Sequence, residues 1–134
     1  MAEFKRGMTA GAKAGIIFGF IAAIMGWAYT YATLGPGKTI ILERAIALVI
    51  GYAIAGAIIG VIFGTIYAAA YTHLPGTKSI LKGISIGIVW WLVMGLGLSY
   101  CLGTVINAYH IVSSLISALV WGVLVGFFWD RYKA

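Results

Sequence analysis

Residues 46–71 read IALVIGYAIAGAIIGVIFGTIYAAAY, and this stretch decides the fold. Gly56, Gly60, Gly64 and Ala68 follow one another at four-residue intervals, and the residues between them are almost all apolar or aromatic. On an α-helix this spacing places the four small residues on one stripe. A helix that is apolar on every side cannot face water. The stretch therefore predicts a membrane-spanning helix whose smooth stripe allows a second helix to approach closely.

The composition of the whole chain agrees with this prediction. Of the 134 residues, 63% are hydrophobic and 9% are charged, and the mean hydropathy is +1.05. Soluble domains are nearer half apolar and a quarter charged. The length and composition together predict one small helical membrane domain, without room for a second domain.

The same spacing of small residues recurs in three further apolar segments, which are separated by short connections. We therefore predict an all-α membrane protein with four transmembrane helices in an antiparallel up-down bundle. The predicted helices span residues 7–31, 44–71, 80–102 and 111–129. The predicted helix-packing residues are Gly11, Gly15, Gly19, Gly56, Gly60, Gly64, Gly83, Gly87, Ala118, Gly122 and Gly126. Because all four helices carry such stripes, we expect some of them to pack against other chains. The alternative is that close packing within the chain uses all of them.

The two halves of the chain share part of this pattern. Segments 11–15 and 83–87 each begin and end with glycine, and so do segments 60–64 and 122–126. One interpretation is a tandem repeat of two parallel helical hairpins. The other is that glycine-rich membrane helices resemble one another without duplication.

The charges favour one orientation in the membrane. The net charge is +6 and the isoelectric point is about 9.6, which in a soluble domain would suggest nucleic acid. Here the charges fall at predicted helix ends, so we expect contact with lipid headgroups and no nucleic acid. The side that holds the termini carries Lys5, Arg6, Lys13, Lys78, Lys82, Arg131 and Lys133, against Lys38 and Arg44 on the other side. This bias predicts that both termini are cytoplasmic.

No arrangement of residues in the sequence indicates catalysis. The acidic residues are Glu3, Glu43 and Asp130, all near predicted helix ends. Cys101 is the only cysteine, and His73 and His110 are predicted on opposite sides of the membrane. Nucleophile and base pairs, phosphate-binding loops and zinc motifs are also missing from the sequence. We therefore predict a protein that is not an enzyme and binds neither cofactor nor metal.

The external side offers two polar features that are candidates for contact with a partner. Glu43 and Arg44 begin the second predicted helix, and Asn107 and His110 lie in the last connection. The alternative interpretation is that these side chains are simply solvated.

Three functional hypotheses remain. The first is an accessory or scaffolding subunit within a larger membrane complex or a homo-oligomer. The second is a small channel or facilitator with a pore at an oligomer interface, lined by Thr65, Ser85 and Ser117. The third is an electron-transfer subunit that uses His73 or His110 and the tryptophans to bind a cofactor. We rank the hypotheses in this order.

Overall fold

The structure, a computed structural model, describes residues 1–34, 42–103 and 108–132. Within these ranges all regular secondary structure is helical. Four helices contain segments long and apolar enough to cross a membrane, so the predicted all-α class and the four apolar helices are confirmed. The helices are α1 (Ala2–Leu34), α2 (Leu42–Ala70), α3 (Ser79–Cys101) and α4 (Ala108–Arg131).

Helix α1 begins at Ala2, where the sequence analysis placed the first helix from residue 7. The charged residues that follow Ala2 are good helix formers, since long unbranched side chains lose little freedom in a helix. Glu3 lies in the first turn, where a negative charge is favoured by the helix dipole. Lys5 and Arg6 therefore belong to a continuous helix, which fixes the direction of their side chains.

The connection between α2 and α3 is a tight turn over residues 71–78. Gly76 has a φ of +119°, a conformation that side chains with a Cβ rarely adopt. Pro75 lacks the N–H that a continuing helix would need. The turn brings the end of α2 next to the start of α3.

Helix α3 changes its hydrogen-bonding pattern along its length. Ser79–Trp90 is α-helical, Trp91–Leu98 is π-helical, and Ser99–Cys101 returns to α-helix. The helix predicted over residues 80–102 did not include this change. A Cβ atom added at Gly95 would lie 2.9 Å from Cδ1 of Trp91, so the indole lies over that glycine.

Helices α1 and α2 form the first hairpin and lie close enough for their backbones to touch. A Cβ atom added at Gly11 would overlap the carbonyl oxygen of Gly60 and would lie 2.8 Å from Cα of Gly64. The contacts advance by four residues along one helix as they retreat by four along the other, so the two helices run antiparallel. The successive pairs are Gly7 with Gly64, Gly11 with Gly60, Gly15 with Gly56 and Gly19 with Tyr52.

Helices α3 and α4 form the second hairpin and repeat this close packing over a shorter length. A Cβ atom added at Gly83 would overlap the carbonyl oxygen of Gly122. The successive pairs are Ser79 with Gly126, Gly83 with Gly122 and Gly87 with Ala118. Beyond Gly87 the π-helical segment begins.

Large aromatic side chains fill the space between the two hairpins. Phe63 of α2 lies edge-on to Trp90, at 5.3 Å between ring centroids, and 5.5 Å from Trp121. Phe18 of α1 stacks on Trp121 at 5.0 Å. Buried alanines and Val125 complete this core. The hairpins are thus internally joined through glycine and joined to each other through aromatic rings.

Candidate functional site

Polar and aromatic side chains cluster where the two hairpins meet, at the end of the molecule that holds the 71–78 turn. We call this cluster the junction. It consists of Arg6, Tyr67, Tyr71, Ser79, Lys82, Trp129 and Asp130. All four helices contribute to it or lead directly into it.

Ser79 lies at the centre of the junction and is 2% exposed. It is the first residue of α3, and its carbonyl accepts a hydrogen bond of 2.7 Å from the hydroxyl of Tyr67. Its own hydroxyl donates to Oδ1 of Asp130 over 2.6 Å. One buried serine therefore connects α2, α3 and α4, because its carbonyl is bound to α2 and its hydroxyl to α4.

The hydroxyl of Tyr71 extends this connection into a chain. It lies 2.7 Å from Oγ of Ser79. A serine hydroxyl carries one proton, and that of Ser79 is directed to Asp130, so Tyr71 is the donor to Ser79. The order from donor to acceptor is Tyr71, Ser79, Asp130. A bond that ends on a carboxylate is stronger than one between neutral groups.

Arg6 closes the junction from the side of α1. Its Nε and Nη2 donate to the carbonyl of Trp129 over 2.8 and 2.5 Å, and its guanidinium carbon lies 4.1 Å from the Trp129 ring centroid. That carbonyl is in the last turn of α4, where helix carbonyls lack partners within the helix. A cation at this end is also favoured by the helix dipole. Arg6 therefore caps α4 and stacks on it at once.

Lys82 plays the corresponding part at the end of α2. Its ammonium donates to the carbonyl of Tyr71 over 2.8 Å and lies 4.0 Å from the Tyr71 ring centroid. Tyr71 follows the last residue of α2, so its carbonyl is one of those left open by the helix. A basic residue from the next helix again provides the cap.

Lys13 makes a third contact of this kind beside the junction. Its ammonium lies 4.6 Å from the ring centroid of Tyr132 and donates to the Tyr132 hydroxyl. Lys13 is exposed and lies within the apolar part of α1. Its long apolar stem reaches along the helix toward the junction, as is typical of a lysine near the end of an apolar helix.

Trp129 is the hydrophobic centre of the junction, with 1% of its surface exposed. It stacks on Tyr71 at 4.8 Å and lies edge-on to Tyr67 at 5.3 Å. Its indole N–H has no hydrogen-bond partner among the described residues. Leaving a buried donor unpaired costs about 1–3 kcal/mol. Close ring packing and the Arg6 contact offset this cost.

This end of the molecule carries a strong positive charge. The described basic residues here are Lys5, Arg6, Lys13, Lys78, Lys82 and Arg131, and the described acidic residues are Glu3 and Asp130. The cations of the junction lie on ring faces and carbonyl oxygens, which orient them without neutralising them. The positive field of this end therefore remains available to an anion.

The junction is arranged to hold helices together. The Ser79 hydroxyl is buried, donates to Asp130 and accepts from Tyr71, which does not favour nucleophilic attack. Within residues 1–34, 42–103 and 108–132, no group of three His, Cys, Asp or Glu side chains is placed to hold a metal ion. His73 lies exposed in the turn.

The structure places the predicted packing residues in two interfaces, both within the chain. Those of α1 and α2 face each other, and those of α3 and α4 face each other. Each of these residues thus has a contact within the chain, and the expectation that some stripes also contact other chains stays a prediction. The hydroxyls of the predicted pore residues Thr65, Ser85 and Ser117 each donate to a carbonyl of their own helix, four residues earlier.

The predicted partner-contact residues are described only in part. Arg44 is exposed, and it lines an open apolar groove along one face of α2 with Ala47, Leu48, Gly51, Tyr52 and Ala55. Asn107 and the side chains of Glu43 and His110 lie outside the described residues.

The sequence analysis did not identify the junction. Asp130 was noted there only as an acidic residue near a predicted helix end. One signal was present, because Ser79 occupies a stripe position of α3 that the stripe otherwise fills with glycine. A hydroxyl at a position where backbones touch is a candidate for bonding between helices.

Comparison with known proteins places the chain in a family. No curated protein and no solved structure matches it. A family match covers the chain from residue 1 to residue 134. The chain belongs to this family, which is described as a family of unknown function (DUF6789).

Proposed function

We propose that the protein is a multi-pass integral membrane protein whose four helices form an antiparallel up-down bundle. The apolar outer faces of the helices support this proposal. Ile24 is 62% exposed, Ile58 60% and Val93 60%, and such residues continue along all four helices. A surface of this kind is favourable in a bilayer and unfavourable in water.

We propose that both termini lie on the cytoplasmic side. The junction end carries most of the basic residues, and such an excess is typical of the cytoplasmic end of membrane helices.

The equivalent glycine pairs of the two hairpins also favour the tandem-repeat interpretation. Gly11 with Gly60 corresponds to Gly83 with Gly122 in sequence pattern and in contact.

Within the membrane, we propose that the protein acts as a non-catalytic accessory or scaffolding subunit of a larger complex or homo-oligomer. The observation that carries this proposal is that the polar side chains of the junction bond to other helices of the same chain. Ser79, Asp130 and Arg6 hold helices to one another. Backbone contacts and the junction make the bundle rigid. A rigid bundle can hold other subunits in fixed positions.

The outer face of α2 is the surface that best fits a partner helix. Ala47, Gly51 and Ala55 repeat the four-residue spacing on a side that faces away from α1, and Gly51 has open space where a Cβ would lie. Arg44 lies at one end of this face. Small residues allow a partner helix to approach closely.

Native mass spectrometry after mild solubilisation of the source membranes tests the proposal. We expect the chain to co-migrate with larger, different subunits, or with copies of itself. Gly51→Leu should weaken that association and leave the isolated chain stable, because its side chain enters open space. Gly26→Leu is the matched control, since Gly26 is also exposed and has open space where a Cβ would lie, but on α1.

The outcomes separate the hypotheses. Equal association of the Gly51→Leu variant and the control would reject the α2 face as the contact. A monomer under all mild conditions would reject the subunit proposal. A homogeneous oligomer of this chain that conducts ions or solutes in liposomes would favour the channel or facilitator instead.

A further inference from the structure

One face of α1 carries two cations at the basic end and apolar residues beyond them. Arg6, Lys13 and Phe20 are each seven residues apart, so they lie on the same side of the helix. Ile17 and Ile24 lie beside them on that face. We call these five residues the α1 strip. Its apolar members are exposed, at 38% for Ile17, 46% for Phe20 and 62% for Ile24.

The two cations of the strip converge on the last turn of α4. Arg6 contacts Trp129, and Lys13 contacts Tyr132. These two aromatic residues are three positions apart and are therefore neighbours at the end of α4. Side chains on a helix lean toward its N-terminus, which carries the Lys13 ammonium back toward Arg6. Two positive groups that start two turns apart on α1 thus both contact residues at the C-terminal end of α4.

Both cations keep donors for an anion. The two bonds from Arg6 to Trp129 use only part of the five-donor guanidinium, and an ammonium has three donors, of which the Tyr132 hydroxyl takes one. The surrounding end is strongly positive. An anion placed here gains charge-assisted hydrogen bonds without displacing the contacts that orient the cations.

We propose that the α1 strip and Tyr132 bind one anionic phospholipid. The phosphate lies between Arg6 and Lys13, and an acyl chain lies along Ile17, Phe20 and Ile24. The inference rests on the proposed membrane insertion and deepens it by naming the lipid class. The charge of the cations selects an anionic headgroup, and the apolar continuation of the same face selects a lipid over a free phosphate ion.

The test measures lipid binding to the purified full chain by native mass spectrometry. The probe is dioleoyl-phosphatidylglycerol, titrated against dioleoyl-phosphatidylcholine as the neutral comparison. We expect tighter binding of the anionic lipid, and we expect Lys13→Gln to weaken it by about fivefold, as for the loss of one basic side chain near a membrane surface. Lys13→Arg should keep the affinity because it keeps the charge.

Lys78→Gln is the matched control, because Lys78 is an exposed lysine at the same end but outside the strip. It should leave the affinity unchanged. Equal weakening by Lys13→Gln and Lys78→Gln would overturn the proposal in favour of a general charge effect. Equal affinity for the two lipids would overturn it too. Complete competition by inorganic phosphate would indicate a site for the free ion instead.

A negative result for the lipid site can be told apart from a negative result for the proposed function. If the chain associates with its partners and shows no preference for the anionic lipid, only the lipid site is rejected. Lys13→Gln should also melt close to the wild type, because its contact with Tyr132 is exposed and such contacts contribute little to stability.

Discussion

The two hairpins use the same contact scheme and differ at one step. In the first hairpin, glycine contacts continue from Gly7 to Gly19. In the second, the corresponding series runs from Ser79 to Gly87 and then reaches Trp91, whose indole N–H donates to Oγ of Ser114 over 2.9 Å. The π-helical segment begins at this tryptophan. One large side chain in place of glycine thus replaces backbone contact by a hydrogen bond between side chains.

Glycine contacts extend further in the first hairpin than in the second. In the first hairpin glycine sets the distance between two helices over the four successive contacts from Gly7 to Gly19. In the second it sets that distance only near the junction, and beyond it the Trp91 side chain is hydrogen-bonded to Ser114 of the other helix. The first hairpin should therefore be the more sensitive to added side chains, and the second to lost polar contacts.

The largest effect is expected for Gly60→Leu in the first hairpin. Any side chain here overlaps the backbone of Gly11, which has no flexible end that can move aside. We expect a loss of more than ~3 kcal/mol, the upper range for overpacked sites, seen as a lower melting temperature in detergent. Gly51→Leu on the open side of the same helix is the control. Equal melting of Gly60→Leu and wild type would contradict the close packing.

A smaller change compares the two hairpins directly. The Cβ atom of Gly11→Ala overlaps the Gly60 carbonyl, whereas that of Gly87→Ala lies 2.6 Å from the Ala118 carbonyl. We expect Gly11→Ala to cost about 1–2 kcal/mol more than Gly87→Ala, because less movement relieves the second overlap. Thermal unfolding of the two variants in the same detergent measures the difference. A larger loss for Gly87→Ala than for Gly11→Ala would contradict this difference between the hairpins.

The next effect concerns the junction, at the position where the second hairpin has serine and the first has Gly7. Ser79→Ala removes the hydrogen bond to Asp130 and the acceptor of Tyr71. We expect a loss of about 1.5 kcal/mol, the range for a bond to a charged group. Tyr71→Phe is the informative partner variant. If the two act through one chain of bonds, the double variant should lose less than the two single variants together.

The smallest effect is expected at the step that separates the hairpins. Trp91→Phe keeps an aromatic ring over Gly95 and removes the donor to Ser114. We expect a loss of about 1 kcal/mol, typical of one neutral hydrogen bond. Denaturation of Trp91→Phe, Ser114→Ala and the double variant measures the coupling between the two side chains. Fully additive losses would show that this bond does not hold the second hairpin.

The sequence was sufficient for the helical class because that class depends on local pattern. Four long apolar segments with four-residue spacing of small residues predict helices whatever lies around them. The sequence could not say which stripe meets which, because the stripes of residues 7–19 and 83–87 are chemically alike. Only the three-dimensional arrangement pairs α1 with α2 and α3 with α4.

The junction was out of reach for a different reason. It combines residues far apart in the chain, such as Ser79 and Asp130, and each looks ordinary in its own segment. A tyrosine or an aspartate at a helix end is common in membrane proteins, where such residues face headgroups. The π-helical segment was missed as well, because Trp91–Leu98 is apolar throughout and its composition fits a regular helix equally well.

The bond between Arg6 and Trp129 has a consequence for biosynthesis. Its two ends are 123 residues apart, so the arginine leaves the ribosome early and its acceptor late. The glycine contacts of the first hairpin connect residues that are synthesised sooner, and contacts between closer residues form faster. We therefore expect this bond to form after the contacts of the first hairpin. Until then α1 contacts only α2, and its contact with α4 forms once α4 has been synthesised.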